Sequence, residues 1–228
     1  MKKILVTGGN KGIGLAIVKR LLREYPDTYL LLGSRDVQRG EAAVKELVTE
    51  LGKDIIFMFD CVLSNLFCPG GGYGERLEMV QLDVCSEASV QEAVSKVKSK
   101  HGQLFGLINN AGGWLSTPRA TIDLNTMAVI NVCEAFLPLL EKYGGRIVQV
   151  SSAAGPSFVA KCSVENQKMM IKNDVCFTEA EEKVIKPYLN IMENSLISDD
   201  KKNDALKGYG IHDSGEILKL MIIYKFKI

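Results

Sequence analysis

The chain has little of what metal, nucleic-acid or membrane functions require. Its 228 residues include two histidines, His101 and His212, far apart. Six cysteines, Cys61, Cys68, Cys85, Cys133, Cys162 and Cys176, show no CxxC pair, so the sequence spells no zinc site. There is almost no charge imbalance: 28 Lys and Arg against 27 Asp and Glu leave +1, which excludes a binder working by broad phosphate neutralisation. No run approaches the roughly 20 apolar residues of a spanning helix. The N-terminal stretch Met1–Gly9 is too short in its apolar part for a secretory signal. Nothing repeats, and no linker divides the chain. With 46% hydrophobic and 24% charged residues, global disorder is excluded and one globular domain, residues 1–228, is expected. These absences predict a cytoplasmic protein with free buried thiols, no metal, no membrane partner and no nucleic-acid partner.

What is present alternates between strand and helix. Ile4-Leu5-Val6 is a short apolar run ended by glycines. From Gly12, Ile13, Ile17 and Leu21 recur at four-residue spacing and predict one apolar helix stripe. Tyr29 to Leu32 reads as a strand, and Val44, Leu47, Val48 and Leu51 as a helix. Met79 to Leu82 is a third strand. Val90, Ala93, Val94 and Val97 mark a third helix, opened by Ser86 and Glu87 as cap and first-turn charge. Leu104 to Ile108, Met127 to Leu140 and Ile147 to Val150 continue as strand, helix, strand. The pattern predicts an α/β fold, a doubly wound parallel sheet of Rossmann type, with ligands beyond the carboxyl ends of the strands. Residues 58–78 read as an inserted surface loop and residues 163–207 as a polar helical insertion. Residues 211–228 form a divergent apolar tail interrupted by lysines; the sheet is incomplete at this end.

The turn after the first strand, Thr7-Gly8-Gly9-Asn10-Lys11-Gly12-Ile13-Gly14, carries the first chemical signal. Gly8 permits a sharp turn, Gly12 lets backbone approach a pyrophosphate, and Gly14 lets helix and strand pack closely. The helix N-terminus then offers N–H groups and partial positive charge to phosphates. The second strand ends Gly33-Ser34-Arg35-Asp36. A carboxylate there suits the ribose hydroxyl of NAD, an arginine the 2′-phosphate of NADP. Arg35, with Lys11 as a second cation, predicts NADP(H); a solvated loop arginine is the alternative.

Four motifs stand in order: Thr7-Gly8-x-x-x-Gly12-Ile13-Gly14, Leu82-Asp83-Val84, Asn109-Asn110-Ala111-Gly112 and Val150-Ser151-Ser152. Together they resemble the short-chain dehydrogenase/reductase family. Asn10-Lys11, Ser34-Arg35-Asp36-Val37 and the stretch Gly145 to Ser152 are similar to its NADPH-dependent carbonyl reductases. The likeness covers roughly residues 2–56 and 77–210. It implies that Asp83 bonds the adenine amino group, that Val84 packs beside it and that Asn110 lies along the cofactor; read alone, Asn109 and Asn110 are turn residues bonding their own backbone. It implies reduction of small carbonyl compounds, aldehydes, ketones or quinones, and a monomeric state. Ser152 would hold the carbonyl oxygen, Tyr209 would donate the proton, and Asn125 would support the relay. Each has a plainer alternative: a strand-end cap for Ser152, a half-buried tyrosine for Tyr209, a helix-start cap for Asn125.

The family places a lysine four residues after its tyrosine; this chain has Asp213. A lysine eases release of the phenol proton and grips the ribose, whereas a carboxylate opposes that release. No other tyrosine is followed by lysine at that spacing. Beyond Gly210 the family pattern is not recognisable. The second reading is therefore a catalytically impaired NADP(H)-binding pseudoenzyme, or a truncated isoform from an alternative transcript. Gly70-Gly71-Gly72 lacks the ending of a phosphate loop.

Overall fold

In the computed structural model, residues 1–59, 72–152, 154–171 and 181–211 are described. They divide into two compact units: Met1–Gly112 with Ala128–Val150, and Gly113–Met127 with Ser151–Ile228.

The first unit is built on five strands: β1 (Lys2–Val6), β2 (Thr28–Ser34), β3 (Leu77–Gln81), β4 (Gly106–Asn109) and β5 (Arg146–Gln149). All pair in parallel in the order β3-β2-β1-β4-β5, with Val6 opposite both Leu32 and Ile108. Chain direction reverses its spread at β1, which makes the β1 and β4 carboxyl ends the switch point of a doubly wound sheet. Helices α1 (Gly12–Glu24), α2 (Val37–Phe59), α3 (Glu87–His101) and α5 (Ala128–Phe136) cover it; α4 (Pro118–Ile122) belongs to the second unit. Alternation along the strands feeds both faces. Ile4, Val6, Leu30 and Leu32 meet Val18, Leu22, Leu47 and Leu51 in one core cluster. Leu5, Leu31 and Leu107, between them in the alternation, are also fully buried.

Several boundaries differ from the sequence reading. In α1 the buried line is Gly14, Val18 and Leu22, whereas Ile13 is 66% exposed. The predicted stripe was displaced by one residue: Ile17 and Leu21 flank the core, and Ile13 sits in the first turn, outside it. Residues 58–78 are not all loop. α2 continues to Phe59, a 3₁₀ turn spans Tyr73–Arg76, and β3 begins at Leu77; residues 60–71 lie outside the described set. Arg76 is buried because its guanidinium donates to the carbonyls of Leu22 (3.0 Å), Thr28 (3.2 Å) and Tyr25 (3.3 Å), closing the carboxyl end of α1. Ser86 caps α3 as predicted, its hydroxyl accepting from the Ser89 N–H.

The fourth predicted helix starts much earlier. A continuous helical run covers α4 (Pro118–Ile122), a π turn (Asp123–Met127) and α5, then tightens to 3₁₀ at Leu137–Leu139. It begins where Thr117 caps the Ala120 N–H and Pro118 occupies the first turn. By length and composition alone this run could cross a membrane. However, Arg119, Asp123 and Glu134 interrupt it, and Ile122, Ala128, Val132, Cys133 and Phe136 are buried in the protein.

The second unit adds α6 (Ala154–Ala160), α7 (Val164–Ile171), a π turn (Glu181–Ile185), α8 (Lys186–Glu193) and α9 (Asp199–Lys207). Its core gathers Ile122, Phe158, Val159, Tyr188, Leu206 and Ile211. Burial pushes the Tyr188 phenol up to about 12, so it is a core residue without acid–base work near neutrality.

Candidate functional site

The β1–α1 corner is held from the β4 end. Thr7 is 1% exposed, and its hydroxyl oxygen accepts the N–H groups of Asn110 and Ala111, each at 3.0 Å. The Asn110 carboxamide donates to the carbonyls of Thr7 (3.0 Å) and Gly8 (3.2 Å). Asn110 thus bonds the glycine turn rather than its own backbone, correcting the plainer sequence reading. The glycines of the turn differ in their surroundings. A Cβ at Gly14 would lie 2.4 Å from both Asn110 Nδ2 and the Gly8 carbonyl, so this helix start can sit here only without a side chain. Gly12 has φ +56°, and a Cβ there would meet nothing within 4 Å: its surroundings are open.

Lys11 and Gly12 are exposed at that opening, and Asn10 is half-buried. No side chain caps α1 and no acidic residue stands in its first turn, so the positive end of the helix is available to an anion. At the end of β2, Ser34 donates to the Asp36 carbonyl at 2.8 Å. The Asp36 carboxylate accepts the Arg39 N–H at 3.0 Å and pairs with the Arg39 guanidinium at 3.4 Å, which makes it the cap of α2. Arg35 is exposed, and among the described residues neither it nor Lys11 has an acidic partner. After β3, one Asp83 oxygen accepts the Cys85 N–H at 3.0 Å and the Asp83 N–H donates to Ser89. Asp83 and Val84 are both half-buried. This corner suits a phosphate group: open backbone at Gly12, an uncapped helix start, and two cations without an acidic partner among the described residues.

In the second unit, Asn125 is buried inside the π turn. Its carboxamide is used twice, accepting the Gly113 N–H at 2.9 Å and donating to the Gly113 carbonyl at 3.0 Å. It is therefore not a helix-start cap; that work falls to Thr117. Ser152 is exposed just before α6, and its carbonyl accepts the Gly155 N–H at 3.1 Å. Tyr209 is 52% exposed in the turn after α9. Asp213 lies outside the described residues.

A model of the short-chain dehydrogenase family matches residues 70–164. Carbonyl reductase [NADPH] 1 of Rattus norvegicus is 31% identical over 239 aligned positions, spanning 98% of this chain and 74% of that protein. The chain belongs to the short-chain dehydrogenase/reductase family. Carbonyl reductase [NADPH] 1 of Sus scrofa is 35% identical over 173 residues, covering 72% of this chain but 51% of that protein, so the chain spans about half that relative's length. In fold, this family member is similar to menthone neomenthol reductase of Mentha piperita, with a TM-score of 0.70, 23% identity, and 95% and 81% of the two chains covered.

Sequence reasoning missed three residues of this short-chain dehydrogenase/reductase chain. Thr7 was legible only as part of a motif; a hydroxyl directly after an all-apolar strand was the available signal. Arg76 and Asn166, both buried, gave none, because their partners are carbonyls distant in sequence. Asn109 is buried too, donating to Cys133 Sγ at 3.1 Å, with Gln149 donating to the same sulfur at 3.4 Å. Burial nevertheless holds the Cys133 thiol above its ordinary value.

Proposed function

We propose that this protein is an NADPH-dependent reductase of small carbonyl compounds: aldehydes, ketones or quinones. Arg35 carries the reading. It stands exposed at the end of β2, without an acidic partner among the described residues, while its neighbour Asp36 is spent on the α2 cap. A guanidinium without a carboxylate competitor favours a 2′-phosphate over a bare ribose. Lys11, Gly12 and the α1 N-terminus would hold the pyrophosphate, and Asp83 with Val84 the adenine. The names of the mammalian relatives support the same cofactor. When bound, NADPH supplies the hydride for the carbonyl carbon.

The chain's own groups do the rest. The Ser152 hydroxyl donates a hydrogen bond to the carbonyl oxygen and polarises it. The Tyr209 phenol passes its proton to that oxygen as negative charge develops there. Asn125 acts by fixing the segment after β4, since both ends of its carboxamide are committed to Gly113. The buried thiols of Cys133 and Cys162, outside any disulfide, support a reducing compartment, and the monomeric state is part of the same reading. NADPH consumption with a small quinone or a short aldehyde tests it. Ser152→Ala and Tyr209→Phe should each cost at least about a hundredfold in turnover; unchanged turnover in both would overturn the proposal.

Asp213, four residues after Tyr209, favours a second reading in which NADP(H) is held without turnover. Turnover gained only by Asp213→Lys would select that reading.

A further inference from the structure

We infer that Asn166, on α7, is a positioning residue for Tyr209; the inference rests on Tyr209 being the proton donor proposed above. Tyr209 is half exposed, so packing around its ring cannot fix where the phenol points. Its placement falls to its backbone, and that backbone is held from α7. Asn166 is 6% exposed, and its side-chain NH₂ donates to the Tyr209 carbonyl at 2.9 Å and to the Gly210 carbonyl at 3.4 Å. The Ser163 N–H donates to the same Gly210 carbonyl at 2.8 Å. Ser163 in turn caps α7 through its hydroxyl, which accepts the Asn166 N–H at 3.3 Å.

The turn is shaped to receive this bond. Gly210 has φ +71°, and a Cβ there would lie 2.4 Å from Ser163 Oγ and 2.9 Å from Asn166 Nδ2. On its other side the turn is tied to α9, where the Tyr209 N–H donates to the Leu206 carbonyl at 3.0 Å. Ile211 then bridges antiparallel to Cys162 and is fully buried. Tyr209 is therefore clamped fore and aft, and Asn166 is the clamp's only side-chain donor to the Tyr209 carbonyl among the described residues. Without it, α9 still anchors the Tyr209 and Gly210 N–H groups through the Leu206 and Lys207 carbonyls, each at 3.0 Å, and the Tyr209 carbonyl loses its side-chain donor. A misplacement of about 1 Å at a reacting group can cost on the order of a hundredfold in rate.

The test uses the full chain labelled with ¹³Cζ-tyrosine, the Tyr209 resonance being assigned by its loss in Tyr209→Phe. Asn166→Leu keeps the volume and removes the donor; Asn166→Ala serves if that variant does not fold. The expected result is a displaced or broadened Tyr209 resonance with the other six tyrosines unmoved. With it goes a fall of at least about tenfold in kcat for quinone reduction, the KM for NADPH staying within about twofold. Asn166→Gln, which retains a donor, should recover part of both. A Tyr209 resonance unchanged in Asn166→Leu or Asn166→Ala overturns the inference whether or not the chain turns over. Full turnover in Tyr209→Phe would instead overturn the proton-donor reading, with the resonance still deciding whether Asn166 holds the turn.

Discussion

Replacing Thr7 by valine keeps the shape of the side chain and removes one oxygen. That oxygen accepts two backbone N–H groups, from Asn110 and Ala111, at a residue 1% exposed. Valine would leave both donors facing a methyl group. A buried unpaired donor costs about 1–3 kcal/mol. Partial relaxation of the Asn110 turn should bring the pair to about 2–4 kcal/mol. For a domain of this size, 1 kcal/mol moves the melting temperature by about 2–4 °C, so a drop of about 5–15 °C is expected. Urea denaturation of Thr7→Val against wild type measures it, with Thr7→Ser as the control that retains the oxygen. Thr7→Ser should lose only the packing of one methyl, about 1 kcal/mol. The reasoning is refuted if Thr7→Val is as stable as Thr7→Ser, since the two variants differ mainly in the acceptor.

Three other substitutions probe the frame around the site. Gly14→Ala places a methyl within 2.4 Å of Asn110 Nδ2 and the Gly8 carbonyl, so it should abolish stabilisation by NADPH in a thermal-shift assay; retained stabilisation would show that the corner can open. Arg76→Leu strips donors from three carbonyls at the end of α1 and should cost about 2–4 kcal/mol in urea, more than exposed Arg20→Leu on the same helix. Far from the cofactor corner, Glu78 sits with Tyr29, Lys100 and His101, and Glu78 Oε2 lies 2.8 Å from Lys100 Nζ and 3.2 Å from the Tyr29 hydroxyl. His101 Nε2 is also 3.2 Å away, but out of hydrogen-bond alignment. Burial alone would raise the Glu78 carboxyl, but Lys100 and the Tyr29 hydroxyl outweigh it and hold it below the ordinary carboxylate value. A lowered folded value means stability present above the unfolded pKa and lost as pH falls through the folded one. Glu78→Gln should accordingly flatten the acid limb of a stability–pH curve; an unaltered limb would remove Glu78 from the account.

The legible parts of this chain were those whose cause is local. β1, the glycine turn and α1 follow one another within the first 24 residues, so their order is set by neighbouring positions. The Ser86 cap and the α3 face were readable for the same reason. The α1 stripe was misplaced because its first buried position, Gly14, has no apolar side chain to signal it. The onset of the helix through Asn125 was missed although Thr117-Pro118 is a start signal, because the π turn breaks the 3.6-residue period across Asp123–Met127. Arg76 and Asn166 were illegible: a charged or polar residue reads as surface until the distant carbonyls it satisfies are known. Among the site residues, Asn125 makes a contact the sequence did not signal, its carboxamide bracing Gly113.

The account depends most on the β1–α1 corner accepting a 2′-phosphorylated dinucleotide. Calorimetric titration of the full chain with NADPH and NADH, repeated on Arg35→Ala, tests that directly. The account predicts NADPH binding at least about tenfold tighter than NADH in wild type, with the difference largely erased in Arg35→Ala. Equal affinity for the two cofactors in wild type, or no binding of either, would contradict it.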